Sequence, residues 1–226
     1  MLLAVCLASG VTAALVVLRW ATARVDVLGR RRDFPIFAAG LPVLLALATG
    51  VPAVRHAWLE HRLDDVAGQL VGAPVSVRCE TLGQAWTDAH SELGYVRFGA
   101  DGRPERAATI TWQACSDLRA WSGSDHRHPS LEQIVAVHVL THEAMHMAGL
   151  RDEARAECAA VQRDVRTARL LGAGPDQARA LAATYWSQVY PRLADDYRTQ
   201  DCGPDAPLDE HLPDPPWELV KSFSKS

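Results

Sequence analysis

The stretch SLEQIVAVHVLTHEAMHMAGLRDEARAEC, Ser130–Cys158, decides how the rest of the chain is read. It follows Pro129, and Ser130 with Gln133 forms a capping box, the reciprocal side-chain cap that opens a helix. The apolar pattern then runs to Gly149, a natural helix stop. Asp152 can cap a second helix with Glu153 in its first turn, running to about Gly172. Inside the first helix stands His142-Glu143-Ala144-Met145-His146, an HExxH pattern. Two imidazoles four residues apart project from one helix face and can share one metal ion. A carboxylate beside the first of them is placed to serve as general base, so Glu143 is the candidate catalytic residue. With nine His in 226 residues, chance alone supplies about 0.02 such matches, so the surroundings must carry the rest.

A catalytic zinc site needs a third protein ligand and one open position. Here the sequence resembles the zincin metallopeptidases, in two competing ways. Gluzincins such as thermolysin carry a later N-E-x-x-x-D segment, and DEARAE, Asp152–Glu157, is similar to it. That resemblance implies Glu153 as third ligand to Zn2+, beside His142 and His146, with Glu157 hydrogen-bonded to His142. Some metzincins end HExxHxxGxx in Asp, and HEAMHMAGLRD, His142–Asp152, matches that form, which would make Asp152 the ligand. An antiparallel hairpin turning near Leu150 sets His146 level with Glu153 and His142 level with Glu157, which fits the gluzincin order. Glu157 and Asp152 stay open as alternative ligands. The chain departs from both patterns: His146 and Glu153 are only seven residues apart, and no Met follows the motif to form a Met-turn. Zincins often use a further donor to a developing oxyanion, and Tyr185 and Tyr190 are candidates, although their spacing beside Trp186 also suits a core. His211 could do the same. His138, one turn before His142, is expected to partner a core carbonyl or wall the pocket, and His126 and His128 to lie on the surface.

The first 55 residues are of another kind. Leu2–Leu18 and Phe34–Val54 contain no charged residue over 17 and 21 positions, the lengths of bilayer spans. Pro42 and Pro52 are tolerated in such segments. The connecting stretch holds Arg19, Arg24, Arg30, Arg31 and Arg32, so the positive-inside rule makes it cytoplasmic and turns both termini outward. No Lys or Arg precedes the first run and a second run follows closely, which argues against a cleaved signal peptide. Membrane lipid is therefore an expected partner, and the main domain is expected on the extracytoplasmic side of the cell membrane.

The remaining chain carries 17 basic and 25 acidic residues, or −8, within a total of −4. An acidic domain without a basic stripe argues against a nucleic-acid partner. Four of the five cysteines, Cys79, Cys115, Cys158 and Cys202, fall in this outward part. An even number there points to two disulfides. Three connectivities are open; the pairing within each half, Cys79–Cys115 and Cys158–Cys202, is the one expected. No CxxC pair suggests a structural zinc knuckle.

Leu59, Leu63, Val66 and Leu70 suggest a stalk helix ended by Gly72 and Pro74. Val75–Cys79 alternates like a strand, a helical stretch is expected near Leu82–His90, and Gly94–Phe98 with Ala107–Trp112 reads as a hairpin. Cys115–Trp121 suits one or two helical turns. Pro175 opens a further helix that Pro191 bends or ends, and the tail from Cys202 is Pro-rich and acidic. The expected fold class is α+β: a two-helix membrane anchor over 1–55, a stalk over 56–74, a zincin-like domain over 75–200 with a short sheet and a helical half, and a tail over 201–226. The resemblance implies a membrane-anchored zinc metallopeptidase acting on protein or peptide substrate through a metal-bound water. The rival expectation is a metal-binding, non-hydrolytic module, which a site sealed by the tail would favour.

Overall fold

A computed structural model of the chain describes residues 2–25, 29–81 and 93–218. The helical stretch expected near Leu82–His90 and the end of the tail lie outside the described residues. The chain divides into two compact units, residues 1–59 and 60–226.

In the first unit, α1 (Leu2–Thr22) lies against the opening part of α2 (Ile36–Val71). Both are long and apolar enough to cross a membrane, and most of their surface is exposed. Small residues make their contact: Ser9, Ala13 and Ala39 are buried. Cys6 Sγ donates to the Ala46 carbonyl at 3.4 Å. A Cβ on Gly50 would fall 2.7 Å from that sulfur, so glycine there permits the close approach. Pro42 and Pro52 are both inside α2.

The second unit is α+β. Residues 60–71 of α2 belong to it rather than to a separate stalk. Leu63, Val66 and Ala67 are buried, and the polar positions of the same turns receive strand backbone. Glu60 accepts from the Cys79 amide at 2.9 Å, and Asp64 from the Val77 amide. Strands β1 (Ser76–Cys79), β2 (Gly94–Phe98) and β3 (Pro104–Ile110) form one sheet in the order β1-β3-β2. β1 runs parallel to β3, with Cys79 opposite Ile110. β2 is the antiparallel edge, with Gly94 opposite Ile110 and an irregularity between Val96 and Phe98.

Among the described residues, five α-helices follow. α3 (Trp112–Ser122) starts on Thr111, whose side chain accepts from the Ala114 amide. The Cys79–Cys115 disulfide ties it to β1. α4 (Leu131–Met147) carries the HExxH residues and opens with the Ser130/Gln133 capping box. Nearly every residue from Ala136 to Met147 is buried, because α4 is the central helix, packed against α3, the sheet and the helices after it. That explains its weak amphipathicity, since a helix covered all round needs no polar face. The helix expected to run on to about Gly172 is in fact two, α5 (Glu153–Val161) and α6 (Asp164–Leu170). α7 (Pro175–Thr184) passes into a π-turn (Tyr185–Val189) and a 3-10 turn ending in Arg192. A second disulfide joins Cys158 to Cys202, so both pairings are those within each half.

Candidate metal centre

The turn between α4 and α5 builds the site. Gly149 has φ +113, its amide donates to the His146 carbonyl, and the Leu150 amide donates to the Met145 carbonyl. This double bond pattern reverses the chain within two residues and requires a residue free to adopt positive φ. It aims the Leu150 carbonyl back at the helix, where it accepts from His146 Nδ1–H at 2.7 Å. Asp152 then caps α5, its carboxylate accepting from the Arg155 amide at 2.9 Å. Asp152 is thus occupied by the helix start and does not join the cluster. Glu153, in the first turn of α5, does.

His142 Nε2 and His146 Nε2 lie 2.9 Å apart, and Glu153 Oε2 lies 3.1 and 3.2 Å from them. The tautomers follow from the outer contacts. Carbonyls and carboxylates only accept, so His146 donates through Nδ1 to Leu150, and His142 donates through Nδ1 to Glu157 Oε2 at 2.9 Å. Both Nε2 atoms therefore present lone pairs to the same point, together with a carboxylate oxygen. Three acceptors facing one another repel unless a positive charge, a metal ion or a proton, lies between them. A tetrahedral zinc with ~2.0–2.1 Å bonds has ligand–ligand edges of about 3.3–3.4 Å, a few tenths longer than the observed separations. The donor set fits the ion.

Without an ion, a proton on His142 takes that place between the acceptors. Burial works against a charged His142, yet the carboxylates of Glu153 and Glu157 outweigh it and raise its pKa to about 9. Hydrogen bonds from His142 and His146 hold Glu153 down at about 2. Glu157 is buried, which opposes ionisation, but His138 and His142 drive it well below the ordinary carboxylate range.

Behind His142 lies a polar network. His138 bridges Asp164 Oδ2 through Nδ1 and Glu157 Oε2 through Nε2, both at 2.9 Å and all three buried. Burial would lower the His138 pKa, but the charges of Asp164 and Glu157 carry it up to about 10. Tyr185 donates its hydroxyl to Glu157 Oε1 at 2.8 Å and stacks on the His138 ring at 3.7 Å. Burial and the Glu157 charge push its phenol well above the ordinary value. Tyr185 also lines the cavity beside the cluster, but its hydroxyl is committed to Glu157 in this structure. Tyr190 is turned away, exchanging hydrogen bonds with the Thr199 backbone at 3.4 Å. His211 lies on the exposed tail beside Asp209. His138 does line the pocket, one of the two places expected for it, but its ring nitrogens meet two carboxylates rather than a core carbonyl.

The cluster forms part of the wall of a cavity of about 450 Å3. Glu143, Gly94, Tyr95 and Phe98 line it, with Val135 and Val139 from α4 and Leu193, Asp196 and Tyr197 from the segment after the π-turn. Gly94 leaves room for Glu143: a Cβ there would meet its Oε1 at 2.8 Å and its Cγ and Cδ at 3.0 Å. Tyr197 was not among the expected residues. Its ring centroid is 5.8 Å from that of His142, and no motif marks it, because only the fold brings it there. Among the described residues, none beyond Tyr197 lines the cavity, so the described part of the tail, up to residue 218, takes no part in its wall. No family model, no curated protein and no solved structure matches this chain.

Proposed function

We propose that this chain is a membrane-anchored, extracytoplasmic, zinc-dependent metallopeptidase of zincin-like type. One observation carries the proposal: His142, His146 and Glu153 converge their lone pairs on one point in the wall of an open cavity that Glu143 also lines. The three would hold the ion. Bound zinc supplies Lewis acidity, polarising a peptide carbonyl and lowering the pKa of nearby water to about 7. Glu143, next to His142, accepts the proton of the attacking water and delivers it to the departing amine nitrogen. Tyr197, a phenol lining the same cavity, is the candidate hydrogen-bond donor to the substrate oxygen. The side of the membrane is supported by two disulfides, which form in oxidising compartments, and by the arginines between the two apolar helices. An open cavity favours hydrolysis over a sealed, non-hydrolytic metal module.

The test is made on the full chain purified in detergent with zinc supplied, measuring bound metal by mass spectrometry and hydrolysis of an unstructured protein substrate. About one zinc per chain is expected, lost in His142→Ala. Glu143→Ala should keep the metal and lose at least about 100-fold in rate. A folded, zinc-supplied protein without metal would overturn the proposal, as would wild-type hydrolysis by Glu143→Ala.

A further inference from the structure

Glu157 sits where three elements meet, and its two carboxylate oxygens are used differently. Oε1 receives the Tyr185 hydroxyl at 2.8 Å. Oε2 receives both His138 Nε2–H and His142 Nδ1–H, each at 2.9 Å. A carboxylate on a flexible side chain does not hold such an orientation by itself, since rotation about its last bond would exchange or break these contacts. His138 constrains that rotation. Its other nitrogen donates to Asp164 Oδ2 on α6 at 2.9 Å, so the ring is held at both ends, with the Tyr185 ring against its face. Among the described residues, the ion pairs of Glu157 and Asp164 are made only by histidines: His138 pairs with both, His142 with Glu157. Two buried carboxylates on neighbouring helices need a donor between them, and His138 is that donor.

We infer that His138 is a positioning residue for the metal centre: by bridging Asp164 and Glu157 it fixes Glu157, and through Glu157 the ring orientation and Nδ1–H tautomer of His142 that leave Nε2 directed at the ion. The inference rests on the metallopeptidase reading and extends it outward, to a residue outside the proposed ligand set of His142, His146 and Glu153. Outer partners of ligating histidines typically change metal affinity 10–100-fold when removed. His138 acts one bond further out, but it holds that outer partner on its only shared oxygen.

The full chain in detergent micelles is titrated with zinc against a chromophoric chelator. Its melting temperature is recorded with and without zinc, and Co2+ is substituted to read the ligand-field spectrum. His138→Gln should weaken zinc binding about 10–100-fold, shift the Co2+ spectrum and shrink the rise in melting temperature that zinc produces. A role in packing alone would lower the melting temperature equally with and without zinc and leave the spectrum unmoved. Asp164→Asn and Tyr185→Phe should weaken binding in the same direction by smaller factors. If His138→Gln does not fold, these two variants carry the test, and wild-type affinity in both overturns the inference. A folded His138→Gln with wild-type affinity and spectrum also overturns it, while leaving the metal reading intact. Wild-type protein that binds no zinc defeats that reading itself, a separate and recognisable result.

Discussion

At the scale of single residues, Gly94 and Glu143 set each other's limits. Gly94 opens an edge strand, where a glycine is usually a weakness. Here the missing Cβ is the space that Glu143 fills, with Oε1 2.8 Å and Cγ 3.0 Å from where that carbon would stand. Gly94→Ala must shift the Glu143 carboxylate, and it presses on Cγ as well as on the carboxylate tip. The proposed ligands His142, His146 and Glu153 are not displaced, so on the peptidase proposal kcat should fall about tenfold or more while zinc stoichiometry stays near one, as hydrolysis and metal analysis of the same sample would show. Wild-type kcat in that variant would mean Glu143 is placed loosely. His138 offers a pH signature. It is faced by Glu157 from α5, Asp164 from α6, Tyr185 from the π-turn and His142 from its own helix. Its pKa is raised from 6.5 to about 10, so its stabilisation is complete below 6.5 and disappears as pH rises through about 10. The Glu157 pKa is lowered from 4.5, so its share is present above 4.5 and fades as pH falls below it. The stability difference between wild type and His138→Gln, read from urea midpoints in the presence of a chelator, should be largest between about 4.5 and 6.5 and narrow by pH 10. A gap constant across that range would mean that the bridge is not ionic.

At the scale of elements, the reversal between α4 and α5 explains why His146 and Glu153 can meet across seven residues. Gly149 at φ +113, the Leu150 carbonyl on His146 and the Asp152 cap occupy the whole connection. Nothing stands within 4 Å of a Cβ at Gly149, so Gly149→Ala would strain only the backbone, by about 1–2 kcal/mol. The same strain shifts the Leu150 carbonyl that orients His146. The variant should therefore lose zinc affinity as well as stability, measured by chelator competition and urea unfolding; a stability loss with unchanged affinity would separate the turn from the site. These features are local, and that is why they were legible: the capping box, the glycine stop, the Asp cap and the HExxH spacing all act within one or two helical turns. The Glu153 contact followed from the same hairpin geometry. What was not legible depends on distant segments. The parallel pairing of β1 with β3 spans thirty-one positions from Cys79 to Ile110. Asp164 reaches His138 only because the expected long helix breaks after Val161 and restarts. Tyr197 enters the cavity through the π-turn and 3-10 turn that follow α7, and Tyr185 turns inward for the same reason; helical spacing alone cannot tell these two tyrosines apart.

At the scale of the molecule, the proposed topology would put the two parts of the chain in two environments. Residues 1–55 carry +4, with five of six arginines in or beside the link between the apolar helices, and the remainder carries −8. Arginine-rich links are retained on the cytoplasmic side, while the disulfides Cys79–Cys115 and Cys158–Cys202 belong to an oxidising one. Cys158 follows Glu157 directly in α5, so the second disulfide also anchors the segment beyond Tyr197 to the helix that holds the site. By chain entropy, closing a loop of 44 residues is worth about 4 kcal/mol, enough to decide whether a domain of this size stays folded. Single-cysteine labelling reads that topology. Val25→Cys lies in the arginine-rich link, and Asp125→Cys lies on an exposed loop of the second unit. In intact cells a membrane-impermeant maleimide should modify Asp125→Cys and leave Val25→Cys unmodified until the membrane is opened. The reverse pattern would place the site in the cytoplasm, where the disulfides would be reduced, and would remove the extracytoplasmic peptidase as a reading of this chain.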